Sequence, residues 1–88
     1  MEFKFTFLPE FHKTLKKLPK DEQEQIVKKI SDISKIKDQS IFRYIKPLAM
    51  SMGRWTHRLR VGNNRIFFQV IGNNFEIHNV IRRKDAYK

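Results

Sequence analysis

The chain has no cysteine. That excludes a disulfide staple, a thiolate-ligated metal and a thiol nucleophile. It has only three glycines and three prolines in 88 residues, too few for a flexible linker or a low-complexity tail, so residues 1–88 are expected to form one domain. No apolar run approaches the roughly 20 residues of a membrane span. The opening MEFKFTFLPEF lacks a basic region followed by a long apolar stretch, so it does not read as a signal peptide. A cytoplasmic protein without a membrane partner is expected. Acids are scarce: nine against nineteen Lys and Arg, a net charge of +10. An unstapled chain this short depends on helix–sheet packing for its stability.

The charge is unevenly placed. Residues 1–38 hold nine lysines and seven acids, a net of +2; residues 39–88 hold ten basic residues and two acids, a net of +8. All seven arginines (Arg43, Arg54, Arg58, Arg60, Arg65, Arg82 and Arg83) fall in the second half. Lysine mixed with acids is the composition of a solvated helix face. Arginine without acids points to planar, bidentate recognition of phosphate, hence to a polyanion partner.

Periodicity supplies the elements. FKFTFL alternates, with Phe3, Phe5 and Phe7 on one face, and reads as a strand. Pro9 opens a helix whose inner stripe is Phe11, Leu15 and Leu18, and Leu18-Pro19 breaks it. Asp21 is the expected N-cap of a second helix, with Glu24 at capping-box spacing and Ile26, Val27, Ile30 and Ile33 on its core face. Residues 39–53 are too apolar for a free loop and read as a packed connection. After Gly53 the period is two. RWTHRLRV puts Trp55, His57, Leu59 and Val61 on one face and Arg54, Thr56, Arg58 and Arg60 on the other. RIFFQVI and FEIHNVI follow, divided by Gly-Asn-Asn turns. In the last run Val80 and Ile81 require a bulge if both face inward. The predicted fold is α+β: an N-terminal strand, an α-helical hairpin, then a three-stranded antiparallel meander (β-α-α-β-β-β), with one sheet face covered by the helices.

Strand pairing then gathers the arginines. Opposite residues on paired strands lie about 5 Å apart, so the open face should carry Arg54, Arg58 and Arg60 beside Arg65 and Phe67, with Arg82 and Arg83 leaving the next strand. A guanidinium row with an aromatic suits RNA, through phosphate contacts and base stacking. His12, His57 and His78 show no ligand spacing, so no metal or other cofactor is expected. There is no glycine-rich phosphate loop and no Ser-His-Asp pattern. His57 falls on the inward face. Tyr87 has two readings: an aromatic packed on the sheet, or a residue that stacks on a base or moves a proton.

F-x-F near the start, FHKTLKKLPKDEQEQIVKKI, HRLRVGNNRIFFQV and the closing RRKDAY together resemble the RelE/ParE superfamily of toxins from type II toxin–antitoxin systems, and RLRVGNNRIFF followed by RKDAY resembles the RelE-like branch. The resemblance spans essentially the whole chain. It implies a ribosome-dependent endoribonuclease that cuts mRNA in the ribosomal A site without a metal. The RNA 2′-hydroxyl attacks the adjacent phosphate. The partner it implies is a cognate antitoxin, in a heterodimer or heterotetramer. Arg65 matches the family's strand arginine at the scissile phosphate, and Arg58 a basic position on the preceding strand. Arg83 and Tyr87 match the arginine and tyrosine of the closing motif. Arg60 is expected to position RNA, with Arg82, Arg54, Phe67 and Lys84 around it.

The chain departs from the pattern in carrying Arg82 where many members have histidine, and Thr56 where some have lysine. The general base stays open, with Tyr87 first and His57 or His78 behind it. Two other functions fit the same fold: a non-catalytic inhibitor of DNA gyrase, as in the ParE branch, and an RNA-binding homologue that cuts weakly.

Overall fold

A computed structural model describes residues 2–82, without the side chains of Ser51 and Met52. Alternating phenylalanines build β1 (Lys4–Phe7). Phe3 and Phe5 lean onto Phe75, with ring centroids 5.2 and 5.1 Å away. Pro9 sits in the first turn of α1 (Pro9–Lys16), where its missing N–H costs nothing. Phe11 is the residue α1 buries. The second helix, α2 (Lys20–Ser34), buries Ile26, Ile30 and Ile33, an i, i+4, i+7 stripe.

Two helix expectations change. Pro19, not Asp21, occupies the N-cap of α2, and no side chain caps it. Gln23 Nε2 instead donates back to the Leu18 carbonyl at 2.8 Å. Asp21 and Glu22 sit in the first turn, where the helix dipole favours negative charge. Val27, expected in the core, is 53% exposed: one residue beyond Ile26 is about 100° around the helix, off the apolar stripe.

The segment 39–53 is more regular than expected. Asp38 accepts the Ser40 N–H at 2.9 Å and caps a 3₁₀ turn over Gln39–Arg43. An additional strand follows, β2 (Ile45–Met52). Its register against β3 (Trp55–Val61) shifts between Pro47 and Met52, and that irregularity removes the alternation that would have revealed it. Pro47 is tolerated because β2 is an edge strand.

The sheet has five strands in the order β1-β5-β4-β3-β2. The last two are β4 (Asn64–Ile71) and β5 (Asn74–Arg82). β1 runs parallel to β5, and the other neighbours are antiparallel. The bulge falls at His78: Phe68 pairs with Ile77 and Phe67 with Asn79. That extra residue turns both Ile77 and Val80 inward, at 0% and 6% exposure, and leaves Ile81 opposite Arg65 on the other face. Where β1 ends, α1 serves the free edge of β5, since Thr14 Oγ1 accepts the Val80 N–H at 3.0 Å.

The β3–β4 turn is Gly62-Asn63. Gly62 has φ +57°, and no described non-glycine residue has positive φ, so this is the turn type that wants glycine first. A methyl group added to Gly62 would make only an ordinary van der Waals contact, with Gln25 Oε1 at 3.8 Å, so conformation alone sets the cost. Gly62→Ala is expected to lower unfolding free energy by roughly 1–2 kcal/mol. An unchanged urea midpoint would contradict it.

Candidate nucleic-acid interface

Register decides which cations meet. Leu59 opposite Ile66 fixes the helix-covered face, so the flanking pairs Arg58–Phe67 and Arg60–Arg65 face the other way. Lys46 joins them opposite Arg58 from β2. Arg60 is exposed and Arg58 half-buried. Arg65 is 1% exposed. Its Nη1 donates to the Asn64 carbonyl at a long 3.4 Å, and its Nε has no partner. Asn79 Oδ1, two residues from the Ile81 that faces Arg65, is also buried and unpartnered. Among the described residues the ion pairs are Arg82–Glu22 and His78–Glu76, so no described carboxylate neutralises Arg58, Arg60 or Arg65. Like charges set opposite one another repel, and an anion between them removes the penalty. Fixed guanidiniums without counter-carboxylates can hold phosphate oxygens and stabilise charge that develops on them.

Arg82, Arg54 and Phe67 do not join the row as expected. Arg82 pairs with Asn64 on the helix-covered face, and its Nη2 binds Glu22 Oε2 at 3.0 Å. Glu22 Oε1 accepts from Asn64 Nδ2 at 2.9 Å, so α2 draws this guanidinium away from the arginine row. The His78 bulge reverses the alternation and causes that switch. Arg54 stands in the β2–β3 turn, before the strand. Phe67 is 2% exposed, and its ring stacks on Trp55 at 4.5 Å and 19°. Alternation places Trp55 on the helix-covered face, but the β3–β4 ladder begins only at His57, which frees Trp55 to cover Phe67. Arg83, Lys84 and Tyr87 lie outside the described residues.

His57 is on the helix-covered face, opposite Phe68 and against Phe42. Thr56 Oγ1 accepts the Val70 N–H at 2.9 Å and lies 2.8 Å from His57 Nδ1. Burial holds the His57 pKa below its usual 6.5. The unfolded chain thus binds this proton more readily than the folded one. Stability is complete above about pH 6.5 and declines as pH falls through the depressed folded value. Asp38, its carboxyl held low chiefly by Ser40, acts in the same direction at lower pH. The urea midpoint should fall between pH 7 and pH 5, and His57→Gln should flatten that slope. A midpoint that rises on acidification would contradict this assignment.

The sequence alone does not reveal a cleft of about 240 Å³ at the corner of the sheet, lined by Lys29, Arg43, Tyr44, Lys46, Arg58, Leu59 and Arg60. Arg43 and Lys46 are legible as cations in the 39–53 segment. The link to Lys29 on α2 is not, because only the fold brings that helix there. Among the described residues, no three His, Asp or Glu side chains gather as a metal ion would need, and no helix is long and apolar enough to cross a membrane.

No protein-family model and no curated protein matches the chain. Solved structures do. The chain is similar to the RelBE2 toxin–antitoxin complex of Mycobacterium tuberculosis, at 21% identity over 94% of this chain and 100% of that one, with a TM-score of 0.73. It is similar to the RelB–RelE antitoxin–toxin complex of Methanococcus jannaschii at 26% identity, over 93% and 94% of the two chains, with a TM-score of 0.67. A double-arginine mutant of the Escherichia coli toxin RelE, in its free state, matches at 22% identity over 99% and 88%, with a TM-score of 0.63. The strand–helix–helix–strands order and these superpositions over nearly the whole length agree: the chain has the fold of the RelE toxins.

Proposed function

We propose that the chain is the toxin of a toxin–antitoxin pair and acts as an endoribonuclease on mRNA in the ribosome. The observation that carries this is the cross-strand set Arg58, Arg60 and Arg65, unneutralised by any described carboxylate, on a RelE-like fold. In the reaction the 2′-oxygen of the RNA loses its proton and attacks the adjacent phosphorus. The bond to the 5′-oxygen breaks, and that oxygen takes up a proton. The products are a 2′,3′-cyclic phosphate and a 5′-hydroxyl. The nucleophile belongs to the substrate, so the protein needs only to orient it and stabilise the phosphorane. Arg65 and Arg58 are assigned to the phosphate and Arg60 to positioning. Arg83 and Tyr87 are assigned by the closing motif, with Tyr87 as proton acceptor.

The partner in this reading is an antitoxin, as in the solved RelB–RelE complexes. An amphipathic segment suits the apolar groove lined by Phe5, Phe7, Phe11, Val27 and Ile30, where Phe7 and Val27 are 44% and 53% exposed. Expression without the antitoxin should arrest growth and leave mRNAs cut within codons. Intact transcripts with lost DNA supercoiling would replace this reading with gyrase inhibition. One observation favours a weakly cutting homologue: Arg65 is 1% exposed, so its guanidinium must be uncovered before a phosphate reaches it.

A further inference from the structure

The corner cleft is built from four separate elements. Lys29 comes from α2, Arg43 and Tyr44 from the 3₁₀ turn and its end, Lys46 from β2, and Arg58 and Arg60 from β3. β2 begins at Ile45, opposite Leu59, so Arg60 has no β2 residue across from it and its side of β3 opens into the cleft. Five cations line the space and no acid does. None of the five has a carboxylate partner among the described residues. Asp38 senses Arg43, and its carboxylate is already committed to the Ser40 N–H and hydroxyl. Tyr44 is 43% exposed, and Lys29 Nζ sits 5.2 Å from its ring centroid, a cation–π contact that steadies the ring.

The cleft and the arginine row share Arg58 and Arg60. A ligand with one anionic group would fill only one of them. A ligand with regularly spaced anions and flat rings would fill both. At about 240 Å³ the cleft holds the volume of about eight waters, enough for one phosphate and part of its sugar but not for a duplex. We infer that this cleft is a second nucleotide subsite for single-stranded RNA, outside the cut position. Arg43 and Lys46 take a backbone phosphate there, and Tyr44 takes a base on its exposed face. The inference rests on the nuclease reading for the identity of the polyanion, and its test is independent of cleavage.

The probe is a short, 2′-O-methylated single-stranded RNA, which has no free 2′-hydroxyl and cannot be cut. Binding is read by fluorescence anisotropy across a salt series. Loss of one charge-assisted phosphate contact weakens binding roughly 10- to 100-fold. Arg43→Ala/Lys46→Ala should show that loss, and its log–log salt slope should flatten by about 0.7 for one phosphate. Tyr44→Ala should lose roughly tenfold through stacking, while Tyr44→Phe should keep wild-type affinity. Thermal melts confirm that each variant is folded. Wild-type affinity and slope in the double variant would overturn the subsite. So would a wild-type protein that binds no RNA, or a double variant that loses only its protein partner. If the wild type fails to cut any RNA while the double variant still loses oligonucleotide affinity, the nuclease reading fails and the subsite stands.

Discussion

Arg65→Met should lower RNA cleavage by roughly 100- to 1,000-fold, the cost of removing one fixed transition-state donor, and should leave the protein as stable as before or more so. The two halves have one cause. Arg65 is 1% exposed, with one long hydrogen bond and an unpartnered Nε, and it faces Arg60 across the ladder. A buried polar group without partners costs about 1–3 kcal/mol. Methionine fills comparable space without that cost. In a domain of this size each kcal/mol is worth about 4–8 °C of melting temperature, so a rise of about 5 °C is expected. A site that destabilises its own fold is one that selection for stability alone would have filled differently. A melting temperature well below wild type would show that Arg65 is a structural residue.

Phe75→Ala should be the most damaging single change to the fold, at about 3–5 kcal/mol. Phe75 is fully buried among other rings. Phe3 and Phe5 come from the β1 end, Phe42 from the 3₁₀ turn at 5.8 Å, and Phe68 from β4 at 6.5 Å. Its loss opens a cavity where the chain's first strand meets β5, so β1 loses its anchor as well as its packing. Native stability is only about 5–15 kcal/mol, so a large unfolded fraction is expected well below the wild-type melting point. A loss under about 1 kcal/mol by urea titration would mean that the rings repack around the gap.

How much is legible in advance depends on which signals are local. The helical hairpin and the β3, β4 and β5 strands follow from apolar spacing and Gly-Asn turns, which are written in adjacent residues. β2 is hidden because Pro47 and the register shift that follows it remove the alternation. The arginine row is legible because β3 and β4 are joined by a two-residue turn, which fixes Arg60 opposite Arg65. Arg82 is not, because the His78 bulge flips the face of everything after it, and Glu22 on α2 then takes the guanidinium. Nor is the burial of Phe67 under Trp55, since alternation assigns Trp55 to the face it does not occupy. The corner cleft joins residues from Lys29 to Arg60, and no periodicity carries a contact of that range.

Adding the purified chain to ribosomes stalled on a defined mRNA, and mapping the RNA ends, is the sharpest test of nuclease activity. Cuts inside the A-site codon are expected, leaving a 2′,3′-cyclic phosphate and a 5′-hydroxyl. These cuts should persist in EDTA at a concentration that leaves the ribosomes assembled, and should be lost in Arg58→Ala/Arg65→Met. Uncut mRNA with the wild-type chain bound to the ribosome, or equal cutting by the double variant, would contradict the nuclease reading.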